Sequence, residues 1–392
     1  MALFSNKHFS SVALGHLVVD VMNGTRGVLL AFWSMPLGLS NSTIGLISAL
    51  FAFSGSLVQP IFGYINDRAG PRWVAAGGIL WMAFFVALAV TAPGQIAIAF
   101  FVIAGLGSGA FHPAGAAQAT LAGRTGYAGR ETAAASYFFL FGQCGFFIGP
   151  ALGGALLDSF KTPGLLILPA AAIPVAIFVI FALRSAPIEK RVQRNIDSGP
   201  RPRLEFLPVL ALVIIGAFQS WTQSNVITFM PKYLSDLGQP ASMYGFMTAL
   251  FMGGSAVGNV IGGHMADRFG KTRVILIAMS LAVVSLFFLS RAEVGWYYLL
   301  VPLSGGLTGA SFPVIIVLAQ RIVPVGAGLA SGLIMGFTYS AGAIGAWLSG
   351  AMADQSGIPT VFLLSAAICL ISALLAPLIH EGHRDIAAIS PE

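Results

Sequence analysis

Along the whole chain, long runs of apolar residues alternate with short turns rich in Gly, Pro and charge. A helix rises about 1.5 Å per residue, so roughly twenty apolar residues cross the hydrocarbon of a bilayer. The punctuation predicts twelve such spans, at 9–36, 43–64, 73–92, 95–121, 131–157, 164–184, 206–234, 242–264, 273–291, 295–320, 325–352 and 358–379. The predicted fold class is therefore all-α and integral to a membrane. The first span is too long for the core of a signal peptide and carries polar residues, so it reads as an uncleaved first helix.

One polar, Arg-rich and Pro-rich stretch, 185–205, follows the sixth span. It divides the chain into a six-helix half at 1–184, a linker at 185–205, a second six-helix half at 206–379 and a tail at 380–392. Internal repetition supports the division: Gly63, Asp67, Arg68 and Gly70 recur as Gly263, Asp267, Arg268 and Gly270, a constant offset of 200. Gly105, Gly109 and Pro113 recur at the same offset as Gly305, Gly309 and Pro313, which points to duplication.

Composition narrows the class further. The chain is 57% hydrophobic and only 9% charged, against roughly 25% charged in soluble proteins. No water-soluble surface can be built from that. The net charge of +6 does not imply nucleic acid, because the basic residues are scattered through short loops. If the N-terminus is cytoplasmic, sixteen of the twenty Lys and Arg residues fall on that side. The positive-inside rule then puts both termini in the cytoplasm and the chain in the cell (inner) membrane. Cys144 and Cys369 lie inside apolar spans without disulfide or metal spacing and are expected to be buried packing residues.

The turn after the second span reads Gly63-Tyr-Ile-Asn-Asp67-Arg68-Ala-Gly70-Pro-Arg72, and the turn after the eighth repeats its glycines, Asp and Arg. The pattern resembles the signature of the major facilitator superfamily, and the resemblance covers the whole chain. It implies two pseudo-symmetric six-helix halves that rock against each other. Gly63, Asp67, Arg68, Gly70, Arg72, Asp267, Arg268 and Gly270 would form a conformational latch between them. The alternative for these loops is a basic topogenic turn without a mechanical role. Gly145, Gly149 and Gly153, with Pro150 and Gly154, are similar to the motif of the superfamily's antiporters. The same spacing also serves simple close packing.

The first span carries His16, Asp20, Asn23 and Arg26, and ionisable residues inside a membrane mark function by default. His16 and Asp20, four apart, share a face. Arg26 leaves the helix in another direction, so it pairs with another helix, meets an anionic substrate, or snorkels to the interface. The fourth span brings Phe111-His112-Pro113, with His112 at a depth close to that of His16. The two histidines and Asp20 can form a proton path, since imidazole titrates near neutral pH; structural histidines are the alternative. His16-x-x-x-Asp20 together with Phe111-His112-Pro113 resembles the fosmidomycin-resistance family of exporters, departing from its pattern at Ala114. In the seventh span, Gln219, Trp221, Gln223 and Asn225 offer hydrogen bonds to substrate or, alternatively, between helices.

There is no nucleotide loop, metal-ligand spacing or nucleophile elbow, so neither an enzyme nor an ATP-driven pump is expected, and no cofactor or metal. The reading is a secondary transporter, a proton-coupled antiporter exporting a drug or small anionic or amphipathic compound. Asp20, His112 and His16 would couple protons. Arg26, Asn23, Gln219, Gln223, Asn225 and Trp221 would bind substrate. A proton-driven importer of a small organic anion is the alternative, and a membrane sensor a remote one. Substrate, protons and lipids are the expected partners of a functional monomer.

Overall fold

The computed structural model describes residues 3–126, 130–186, 206–322 and 327–379; the predicted linker from 187 onward and the tail from 380 onward lie outside the described residues. The described chain is helical and has no strand. Its fifteen α-helices are α1 (Lys7–Gly24), α2 (Arg26–Ser34), α3 (Asn41–Ser56), α4 (Gln59–Ala69), α5 (Pro71–Thr91), α6 (Ile96–Gly126), α7 (Glu131–Gly164), α8 (Ile167–Ala182), α9 (Phe206–Asp236), α10 (Ala241–Phe269), α11 (Lys271–Leu289), α12 (Tyr297–Ala310), α13 (Phe312–Ile322), α14 (Ala327–Ser356) and α15 (Pro359–Leu375).

They map onto the twelve predicted spans, with the first, second and tenth each broken in two. The breaks have local causes. Pro60 and Pro313 lack the N–H that would continue the ladder across 57–58 and Ser311. At Thr25, between α1 and α2, the hydroxyl donates to Val21 O at 2.8 Å and to Gly149 O at 3.2 Å, a side-chain bond that competes with the helix. Among the described residues, ten helices are long and apolar enough to cross a membrane by length and composition alone. The first span is not among them, since His16, Asp20, Asn23 and Arg26 lower its hydropathy.

The helices of each half pack chiefly among themselves, and three seams join the halves: α2 with α9, α7 with α10, and α3 with α14. All three lie at the end opposite the termini, where small residues let backbones touch. Gly27 stands against Ile227 O, and Gly45 against Ala346 O. At the termini end, α4 and α13 make their main contacts inside their own halves. Among the described residues the halves thus meet at one end and stand apart at the other.

The two signature turns lie at the parted end. Gly70 and Gly270 adopt φ of 85° and 96°, the left-handed region that glycine enters without strain. Asp67, Arg68, Asp267 and Arg268 are exposed, and Arg68 and Arg72 lie over Tyr64 and Trp73. Gly63 has only Pro113 near it. One expectation is corrected: Cys369 is buried, but Cys144 is exposed.

Candidate functional site

Asp20 is the centre of the polar site. It is 2% exposed on α1, one turn from His16, which is 3% exposed. Both are pressed against α7, where Gly142 and Gly145 leave room for them. Asp20 Oδ2 lies 3.1 Å from His16 Nε2. Its Oδ1 lies 3.5 Å from His112 Nε2 on α6. Asn23 Nδ2 donates to Oδ1 at 2.8 Å and to Ser108 Oγ at 3.0 Å. The histidine rings meet edge to face at 4.9 Å, and His16 stacks on Phe138 at 4.0 Å. The side chain of His112 is 24% exposed, so this ring is the accessible member of the triad.

The second nitrogen of each imidazole fixes its tautomer. His16 Nδ1 sits 2.8 Å from the Phe138 carbonyl, and His112 Nδ1 sits 2.8 Å from the Ser108 carbonyl. A carbonyl only accepts, so each Nδ1 carries a hydrogen. In the neutral ring Nε2 then presents a lone pair, and both lone pairs face Asp20. A lone pair against a carboxylate oxygen is repulsive unless a proton lies between them. The triad therefore has two such positions, one at each Nε2. The same three donor atoms lie within 4.8 Å of one another, so these are also the residues that could hold a metal ion.

Other predicted residues are placed differently. Asn23 belongs to Asp20's hydrogen-bond shell. Arg26 opens α2, its guanidinium 5.6 Å from the Phe51 ring and its Nε without a hydrogen-bond partner. Gln219 donates to Thr308 O at 3.2 Å and Gln223 to Ser255 Oγ at 3.1 Å, so this pair shares a face toward α12 and α10. Trp221 Nε1 donates to Ser349 Oγ at 2.9 Å, tying α9 to α14. Asn225 is fully buried and donates to Ser365 Oγ on α15 at 3.0 Å. The expectation that Asn225 lines the cavity is therefore corrected: it faces the neighbouring helix. Glu131 accepts from Arg124 Nε at 2.8 Å at the surface. Sequence reasoning missed Ser108, one turn before His112, and Gly142, three residues before the glycine run that it had singled out.

The sequence and fold have known counterparts. The family model described as Major Facilitator Superfamily matches residues 12–218 and again 212–389. The chain is 25% identical over 397 residues to the fosmidomycin resistance protein of Escherichia coli (strain K12), covering 96% of this chain and 93% of that one. It is likewise 25% identical over 359 residues to the gentisate transporter of Corynebacterium glutamicum, covering 86% and 79%. Among solved structures, a bacterial homologue of the human lysosomal transporter Spinster, inward-facing and occupied, superposes with a TM-score of 0.80 at 14% identity. That match covers 95% of this chain and 96% of that one.

Proposed function

This chain belongs to the major facilitator superfamily, and from that premise we propose that it is a proton-coupled antiporter that exports small anionic or amphipathic compounds by alternating access. The observation that carries the coupling is the His16–Asp20–His112 triad, with two proton positions facing one buried carboxylate and one accessible ring. A buried ionisable cluster in a membrane helix is retained for work, since an apolar core would be simpler to build. Exchange needs protonation and substrate binding to favour different states of the two halves.

Residues 1–184 and 206–379 are the two rocking units, joined by the linker 185–205. Arg26 is the partner for substrate charge: among the described residues no acidic group pairs with it, and its guanidinium lies 5.6 Å from the Phe51 ring. Gln223, which is partly exposed, supplies an amide from the facing half, while Gln219 beside it is buried and held by Thr308 O. The charge asymmetry of the loops supports a cytoplasmic position for both termini, with the chain in the inner membrane. The parted end is then the cytoplasmic one. Asp67 and Asp267 are exposed at that end and would engage the other half when it closes. The kinship with a fosmidomycin resistance protein favours export.

The test uses purified protein in liposomes with an imposed pH gradient and fosmidomycin as the probe anion, comparing the native chain with Asp20→Asn. Native protein should move the probe against the proton gradient, and Asp20→Asn should lose gradient-driven movement while keeping its thermal stability. Undiminished gradient-driven transport in Asp20→Asn would remove the proton-carrier role. A second reading, import of an organic anion together with protons, is favoured by Arg26 and by the similarity to a gentisate transporter. Co-movement of gentisate and protons in the same vesicles would establish it in place of export.

A further inference from the structure

Among the described residues, four backbone N–H groups donate across the closed end between the halves, and they form two copies of one arrangement. Asp158, in the final turns of α7, accepts from the backbone N–H groups of Ala241 and Ser242 at 2.7 and 2.8 Å. These are the first residues of α10. Asp354, near the end of α14, accepts from the N–H groups of Asn41 and Ser42 at 2.7 and 3.0 Å. These open α3. In each copy both carboxylate oxygens take up orphan donors at the start of a helix in the other half, where the helix dipole favours negative charge. Neither aspartate suits its own helix, because a carboxylate near a helix C-terminus meets the negative end of the dipole. Their placement is explained by the helix opposite.

The arrangement is also written twice in the sequence. Gly154-x-x-x-Asp158 recurs as Gly350-x-x-x-Asp354, an offset of 196, and Ser42-x-x-Gly45 recurs as Ser242-x-x-Gly245, an offset of 200. The glycines make the reach possible. Gly154 stands against Ala241 O, and Gly350 against Asn41 O, each one turn before its aspartate. A side chain at either glycine would push the seam apart and carry the carboxylate out of range. The copies differ in one respect. α3 has a cap of its own, the Ser40 hydroxyl accepting from Thr43 N–H at 3.2 Å. α10 begins after Pro240, which offers no side-chain acceptor.

We infer that Asp158 and Asp354 form a duplicated latch that holds this end shut and sets the balance between the transporter's two open states. Alternating access requires the α7–α10 and α3–α14 seams to part, and all four hydrogen bonds break when they do. The latch is independent of proton chemistry and would serve export and import alike. Because α10 has no other side-chain cap, Asp158 holds more firmly than Asp354.

Spin-label distances on the full chain in nanodiscs, in a Cys144→Ser background, test this. One label pair at Met35 and Leu237, which are 80% and 46% exposed, reports the latched end. A second at Ile65 and Met265 reports the other. Asp158→Asn should raise the population with the Met35–Leu237 distance lengthened and the Ile65–Met265 distance shortened by about tenfold, the scale of one charge-assisted hydrogen bond. Asp354→Asn should shift it less, and the double substitution more than either. Asp236→Asn, at the same end but paired with Lys232 on its own helix, controls for charge and should shift neither distance. Unchanged populations in the double variant overturn the latch, and so does lengthening at one end without shortening at the other. If the double variant fails to fold, Asp158→Asn alone decides: native-like distances at both ends refute the proposal.

Discussion

Gly142→Ala tests whether the triad's geometry, beyond its composition, couples transport to protons. A Cβ on Gly142 would stand 2.5 Å from His16 Nε2, 2.6 Å from its Cε1 and 2.7 Å from Asp20 Oδ2. Comfortable contacts of this kind are about 3.5 Å, so the neighbours must retreat by about 1 Å. His16 cannot swing away freely, with Nδ1 held by Phe138 O at 2.8 Å and its ring stacked on Phe138. The displacement falls on the 3.1 Å contact between His16 and Asp20, which then lies beyond hydrogen-bond range. Overpacking costs about 1–3 kcal/mol, and alanine returns about 0.5–1 kcal/mol of helix preference. The net loss, roughly 0–2.5 kcal/mol, leaves a folded protein. A hydrogen bond to a charged group contributes about 1.5–3 kcal/mol, so gradient-driven transport should fall about 10- to 100-fold. The assay is fosmidomycin movement in proteoliposomes with and without a pH gradient, beside a melting curve. Gly77→Ala, whose Cβ would meet nothing within 4 Å, is the control. A Gly142→Ala protein with native gradient-driven rates and a native pH profile refutes the reasoning.

Arg26→Gln should raise the KM for fosmidomycin about tenfold, the scale of a lost charge-assisted bond, with no loss of thermal stability, because no acidic partner is left unpaired; transport kinetics and a melting curve check both halves of that statement. Asn225→Ala should do the reverse, lowering stability by about 1 kcal/mol through the lost Ser365 bond while leaving KM unchanged; a raised KM would return Asn225 to the cavity. Dialysis of the purified protein against a chelator should leave transport intact; loss restored by added zinc would mean that the triad holds a metal in place of its protons.

Much of this was legible in the sequence because lipid imposes a coarse, long-range pattern. Twelve apolar runs give the helices, and a 200-residue repeat gives the two halves. The triad was legible too: His16 and Asp20 follow from one-turn spacing, and His112 from counting depth along an oppositely directed helix. Asn23 was assigned to substrate although it lies three residues from Asp20, a spacing that brings side chains together. Asn225 lies two residues beyond Gln223, about 200° around the helix, and that rotation alone turns it away from Gln219 and Gln223. The direction of Arg26 was reckoned along an unbroken helix, whereas the break at Thr25 depends on Gly149 O, a contact with a helix more than a hundred residues away. Long-range packing of that kind leaves no local signal. Asp158 and Asp354 did leave one, but the offset of 196 between them departs from the 200 of the other repeats.

The two halves share their packing and differ in their chemistry. Gly342 stands against Ser220 as Gly142 stands against His16 and Asp20, so the duplicated helices keep the same close approach. Yet the carboxylate stands in one copy only: Ser220 takes the place of Asp20, and Phe312, its ring tilted 35° to that of Tyr339 at 6.1 Å, the place of His112. A second buried carboxylate would need its own compensating imidazoles and amide, and unpaired it would be strongly unfavourable in lipid. In the proposed mechanism one titrating cluster is enough to bias a rigid-body motion, because each half would move as a unit and a charge change between them would act on both. Closing the ends is different. A seam held on one side alone would let the halves hinge about it, so the contacts that shut an end must come in pairs. The same duplication could therefore preserve Asp158 with Asp354, and Asp67 with Asp267, while Asp20 and His112 were needed only once.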